Sequence, residues 1–291
     1  MKLLVPVFLF FSIPVFAQDD LLSLIDENEE SQPVEATFKS TRLISGQTTE
    51  MRSAGVLDFI ISHRFGRVNT GIEQFFGLDD SQVRLGLDYG ITDKLNIGIG
   101  RSSFQKIVDG MVKYKILTQK TGDKAMPISL VAFASIAIKT GPGAFLDPNR
   151  DNPFSDRLYF TYQFLISKKV NSNLSLQFTP TYMHRNLVPT SNHPNDVIAL
   201  GIGGRYKVTK RLALNAEYFP QVTNKAFGIY DALAFGVDIE TGGHVFQIHV
   251  TNSRSMIEQG FVSETTGNWG DGDIHLGFNI SRVFDLSPNK N

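Results

Sequence analysis

From residue 55 to residue 285 the chain repeats one pattern again and again: stretches of roughly ten residues in which every second side chain is apolar. In GLDYGITDKLNIGIG the apolar set is Leu87, Tyr89, Ile91, Leu95, Ile97 and Ile99, and the intervening positions carry Gly86, Asp88, Asn96 and Gly98. A period of two makes a strand with one greasy face and one wet face. The same alternation sets Leu57, Phe59, Ile61 and Phe65 against Asp58, Ser62 and Arg64, and Leu233, Phe235, Val237 and Ile239 against Gly236, Asp238 and Glu240. About twelve such strands follow one another, each long enough for a tilted bilayer crossing.

The connections narrow the fold further. Short links at ITDK, TGDKAM, KKVNSN, VTKR and ETGG alternate with longer ones at 66–80, 141–155, 187–195, 223–229 and 254–271, and with a shorter one at 105–109. Tight turns on one side and long loops on the other is the habit of membrane barrels; a soluble sandwich has no reason to sort its loops. The apolar face is mostly Leu, Ile, Val and Phe. Aromatic residues (Phe65, Tyr89, Tyr182, Tyr206, Tyr218, Phe284) stand near strand ends, where interfacial girdles form. The opposite face is too polar for a dry core. The sequence therefore predicts an all-β chain: an antiparallel up-and-down transmembrane β-barrel of about 12 strands, with short periplasmic turns and longer extracellular loops. A soluble secreted sandwich or lipocalin-like barrel is the competing fold.

Residues 1–17, MKLLVPVFLFFSIPVFA, have one Lys, an apolar run and the small residues Val15 and Ala17 before Gln18, the marks of an export signal. No Cys follows, so the chain is not a lipoprotein, and disulfides and thiolate metal sites are excluded. With a formal net charge of −1, no global field draws nucleic acid. The expected organisation is a signal peptide at 1–17, an acidic periplasmic or plug segment at 18–50, the barrel at 51–286 and a short tail at 287–291. Within the second segment, residues 37–44 fit either an extra strand or a stretch entering the barrel mouth.

The segment GVLDFIISHRFG (55–66), followed by GLDYGITDKLNIGIGRS, resembles the opening of an uncharacterised family of Gram-negative outer-membrane β-barrels, a domain of unknown function. The resemblance extends over most of the mature chain. It implies fold and outer-membrane location, and no catalytic residue.

Strand direction places inward Arg64, Arg84, Lys113, Lys139, Arg157 and Arg185 mostly toward the long-loop side, as a basic ring that would favour anions. The alternative is that they pair with carboxylates and close the mouth. His249 and His275 are expected nearly opposite each other in the lumen, short of the third ligand a metal needs, so no metal and no cofactor is expected. His63 and His184 face lipid near strand ends, but no serine or nucleophile elbow accompanies them; a lipid hydrolase is the minor alternative and no enzyme is expected. Asp147, Asn149 and Asp151 begin a calcium-loop spacing that fails at Asn152 and Leu158. Asp271 and Asp273 in GNWGDGD are a weak cation or sugar signal, and the glycines of GIGGR (201–205) open no helix and make no phosphate loop. Expected partners are outer-membrane lipid, small solutes and a periplasmic protein met through the N-terminal segment. The leading reading is a passive channel for small solutes, anionic ones where the basic ring sets the preference; the second is a plugged barrel that binds a surface or anchors an assembly.

Overall fold

The structure, a computed structural model, describes residues 31–141, 151–241 and 244–287. The export signal, the acidic residues 18–30, Asp147, Asn149 and the last residues of the tail lie outside them. Twelve antiparallel strands close into one barrel. In chain order they are β1 (Val56–Arg67), β2 (Ser81–Thr92), β3 (Leu95–Ser102), β4 (Ile107–Leu117), β5 (Ser129–Lys139) and β6 (Leu158–Lys169). Then come β7 (Leu174–Arg185), β8 (Asp196–Lys207), β9 (Leu212–Phe219), β10 (Ala232–Thr241), β11 (His244–Thr251) and β12 (His275–Asp285). Each strand pairs with the next, and β12 pairs with β1, so no edge is left unpaired.

Alternation is visible in the burial of every strand. On β2, Arg84 and Asp88 are buried while Leu85 and Leu87 are exposed; on β7, Ser175, Gln177, Thr179 and Thr181 are buried while Leu176, Phe178 and Tyr182 are exposed. A soluble protein would not turn Leu, Ile and Phe outward on nearly every strand. The outward belt meets hydrocarbon, and its exposed Tyr182, Tyr206, Tyr218 and Phe284 stand at strand ends.

One connection on the short-turn side is longer than its turn signal implies. Residues 118–128 join β4 to β5, with Lys120 bridged to Met126. This link also pairs in antiparallel fashion with Gln32–Pro33 of the entering chain, which explains its length: it guides the N-terminal segment to the mouth.

Candidate functional site: a lumen filled from both ends

The inward faces line a polar interior, and two segments occupy it. From the short-turn side, residues 37–50 run into the barrel and turn back. The tip is a tight reversal in which Leu43 N–H donates to Gly46 O and Thr48 N–H donates to Thr41 O (2.8 and 3.0 Å). Thr37, Phe38 and residues 41–49 are all buried. The segment makes no barrel strand.

The wall holds this tip by its backbone. The Glu217 carboxylate on β9 accepts from the N–H groups of Ile44, Ser45 and Gly46 (3.2, 2.8 and 3.0 Å). Three converging N–H donors form a cradle for an anion, filled by a side chain of the wall. Gly46 fits because a Cβ there would lie 2.8 Å from the Phe219 ring. Opposite Glu217, Lys113 Nζ donates to Thr41 O and Thr48 O (3.2 and 3.1 Å), and Asn279 Nδ2 donates to Ile44 O at 2.8 Å. Gln247 donates to Leu43 O, and Thr49 meets Ser167 with 2.5 Å between hydroxyl oxygens.

From the long-loop side, the link between β11 and β12 drops into the barrel and carries α1 (Glu258–Ser263), all six residues of which are buried. Ile257 packs with Ile107, Ala137 and Tyr159 on one part of the wall. Phe261 and Val262 pack with Met183, Val197, Ala199, Phe219 and Ala232 on another. Phe261 meets Phe219 at a ring-centroid distance of 4.9 Å, edge to face. The helix thus rests against the arc of inner wall that runs from β4 to β10. Gly260 permits this, since a Cβ there would collide with the Ser255 side chain. The two segments meet at Glu258, whose Oε1 accepts from Arg42 Nη1 (2.9 Å) and Gln47 Nε2 (2.8 Å).

The six basic positions of the expected ring do lie on or beside the inner wall, and each has a local partner. Arg84 is paired with Asp109, Lys139 with Glu264 (3.0 Å), and Arg185 donates to Pro194 O and lies 3.9 Å from Glu264. Arg157 donates to Lys139 O, Lys113 to the plug carbonyls, and Arg64 to Ser45 Oγ (2.9 Å) while it also meets His249. The histidines are not opposite each other: His249 faces Gly277, and His275 faces Thr251. The register of β11 against β12 sets the two histidines two residues apart along the ladder. His249 contacts Arg64, and His275 Nδ1 lies 2.8 Å from Phe65 O, so the two serve different neighbours.

On the outer surface, His63 stacks on Phe278 (4.8 Å, 2° between planes), and His184 Nδ1 lies 2.8 Å from Asp196 Oδ1. Asp273 accepts from Asn69 Nδ2 (2.8 Å) and pairs with Arg67 (3.0 Å), and Asp271 accepts from Asn268. Both acids thus tie loops together, and among the described residues no group of three or more His, Asp or Glu could hold a metal. Trp269 packs edge-on against Phe235 and donates to Leu233 O (3.3 Å).

A family model described as a membrane bound beta barrel domain, DUF5777, matches residues 38–284. The chain belongs to that family. The match begins at Phe38, in the segment inside the lumen, and so takes in the plug as well as the barrel. No curated protein matches the chain. Among solved structures it is similar to the NanC porin (10% identity, TM-score 0.48, covering 78% of this chain and 98% of that one). It is also similar to an outer membrane channel of Pseudomonas putida F1 (14% identity, TM-score 0.45, 81% and 97%) and to Omp33 of Acinetobacter baumannii (8% identity, TM-score 0.43, 78% and 97%).

The inserted helix was the part sequence reasoning missed. Its signal is Met256, Ile257, Phe261 and Val262, apolar pairs five residues apart inside an otherwise polar loop. A loop exposed to water has little use for such a cluster.

Proposed function

We propose that the protein is a non-enzymatic outer-membrane channel for small solutes, closed at rest by its own residues 37–50 and opened when that segment is displaced. The observation that carries this reading is the chemistry of the plug's seat. Phe38, Leu43 and Ile44 are its large buried apolar groups, and most of its attachment is hydrogen bonding to Glu217, Lys113, Gln177, Gln247 and Asn279. Such bonds exchange for water at a net cost of about 1 kcal/mol each. A wall of Ser, Thr, Asn, Gln and paired charges can be rehydrated when the plug leaves, whereas a wall built for permanent filling can be apolar. Location in the outer membrane is supported by the export signal and the closed barrel together.

Withdrawal of the plug would uncover Lys113 and Arg64, but also Asp88, Glu217 and Glu258. The freed charges nearly cancel, so selectivity between anions and cations is expected to be weak.

Conductance in planar bilayers tests the proposal, using full-length protein and a variant lacking residues 18–50 behind an intact signal. Rare, brief steps from the first and steady steps from the second are expected. Equal conductance from both, or silence from the truncated barrel once its folding is verified by heat-modifiable electrophoresis, would overturn it. Silence would favour the structural reading, a plugged barrel acting as a surface or assembly anchor.

A further inference from the structure

The lipid-facing belt is hollowed on the outer faces of β4 to β8. Ala132 and Ala134 on β5 and Pro180 on β7 put small side chains where their neighbours carry Tyr114, Tyr162, Phe164 and Tyr182. The result is a groove of about 440 Å³ across the outer faces of β4 to β8. A second hollow of about 290 Å³ adjoins it, sharing Val112, Ala134 and Tyr162, and reaches Gly110. A Cβ at Gly110 would meet nothing closer than 3.8 Å, so the backbone does not demand glycine there. Two connected troughs on a hydrocarbon-facing wall match the two acyl chains of one lipid.

The groove also has a polar end. Tyr182 lines it, and the Tyr182 hydroxyl donates to Asp196 Oδ1 at 2.7 Å; His184 Nδ1 approaches the same oxygen at 2.8 Å. Asp196 begins β8 at the long-loop rim, and both Asp196 and His184 are exposed on the outer surface (58% and 38%). A neutral imidazole that donates from Nδ1 leaves Nε2 as an acceptor, and the carboxylate still offers Oδ2. Both free atoms therefore accept hydrogen bonds, and the carboxylate carries negative charge. That pair fits a group rich in N–H donors and positively charged.

We propose that this surface binds one molecule of a membrane lipid with a primary-amine headgroup, its acyl chains in the grooves beside Ala132, Ala134 and Gly110, and its ammonium at Asp196 and His184. A choline headgroup has no N–H to donate, and a bare phosphate would meet a carboxylate. Lipid tails are no less apolar than the wall, so the grooves supply shape and dispersion contact, and the headgroup supplies choice. The inference is independent of whether the pore opens.

Native mass spectrometry of the refolded full-length protein in detergent provides the test, with dioleoylphosphatidylethanolamine or dioleoylphosphatidylcholine added at equal concentration. Wild type should retain one ethanolamine lipid in preference to choline lipid by about tenfold, the worth of a charge-assisted hydrogen bond. Asp196→Asn should abolish the preference while chain binding persists. Ala134→Phe should lower retention of both lipids, and Ile248→Phe, lipid-facing on the far side of the barrel, should change nothing. Equal retention of the two lipids by wild type would overturn the headgroup assignment. Unchanged retention by Ala134→Phe, shown to be folded by its electrophoretic shift, would overturn the groove.

Discussion

Arg42 and Glu258 lie 216 residues apart in sequence and meet inside the barrel, Nη1 to Oε1 at 2.9 Å, both nearly inaccessible to solvent. One comes from the segment that enters at the short-turn side, the other from the helix that enters at the long-loop side. Glu258 also accepts from Gln47, so a single carboxylate joins the two stoppers.

Breaking that pair from one side leaves the other charge buried and unpaired, which costs about 3–5 kcal/mol. Glu258→Ala should therefore weaken the closed state, and single-channel recordings should show openings at least tenfold more frequent than in wild type. The double variant Arg42→Ala/Glu258→Ala removes both charges and should recover part of the loss. An opening frequency equal to wild type in Glu258→Ala would separate the latch from closure.

Glu217 cradles the plug tip through three backbone N–H groups. Glu217→Ala leaves those donors facing a hole and should release the tip. Arg42, buried in the wild type, then becomes a trypsin site. Limited proteolysis of folded protein should cut after Arg42 several times faster in Glu217→Ala, with the barrel core intact. Protection equal to wild type would show that the cradle does not hold the tip.

Gly46→Val tests the same seat sterically, since even a Cβ at that position lies 2.8 Å from Phe219 and 3.2 Å from Glu217 Oε2. Overpacking of this kind costs about 1–3 kcal/mol. The plug should be partly expelled without harm to the barrel, visible as higher conductance with an unchanged electrophoretic shift.

The two faces of the ribbon were legible in the sequence because their period is set by the backbone. Leu85 and Leu87 point outward and Arg84 and Asp88 inward for the same reason in any strand. The closed sheet followed, because a spanning sheet has no other way to satisfy its edges. Less legible was what fills the interior. Residues 37–50 have no period, and their seat is built from backbone N–H and C=O groups that every residue carries, so side-chain patterns are silent about it. The mouth cations were readable as inward-facing but not as paired, because Asp109 and Glu264 come from other strands and loops. The inserted helix left a trace, Ile257 and Phe261, that makes sense only once the inner wall is seen to carry an apolar seat for it.

The outward face has its own test. Leu87 is lipid-facing in mid-strand, opposite Ile99. Leu87→Lys should lower the stability of protein refolded into vesicles by about 2–4 kcal/mol, measured by guanidinium titration. A loss under about 0.5 kcal/mol would mean that this face does not meet hydrocarbon.

The most direct test of closure uses the absence of cysteine from the chain. Thr49 on the plug and Ser167 on β6 have hydroxyl oxygens 2.5 Å apart, close enough for a Thr49→Cys/Ser167→Cys pair to cross-link. Single-channel recording before and after reduction would read the outcome. Oxidised protein is expected to show no steps, with openings returning when reductant is added. Openings of unchanged size and frequency in fully cross-linked protein would contradict closure by a displaceable N-terminal segment.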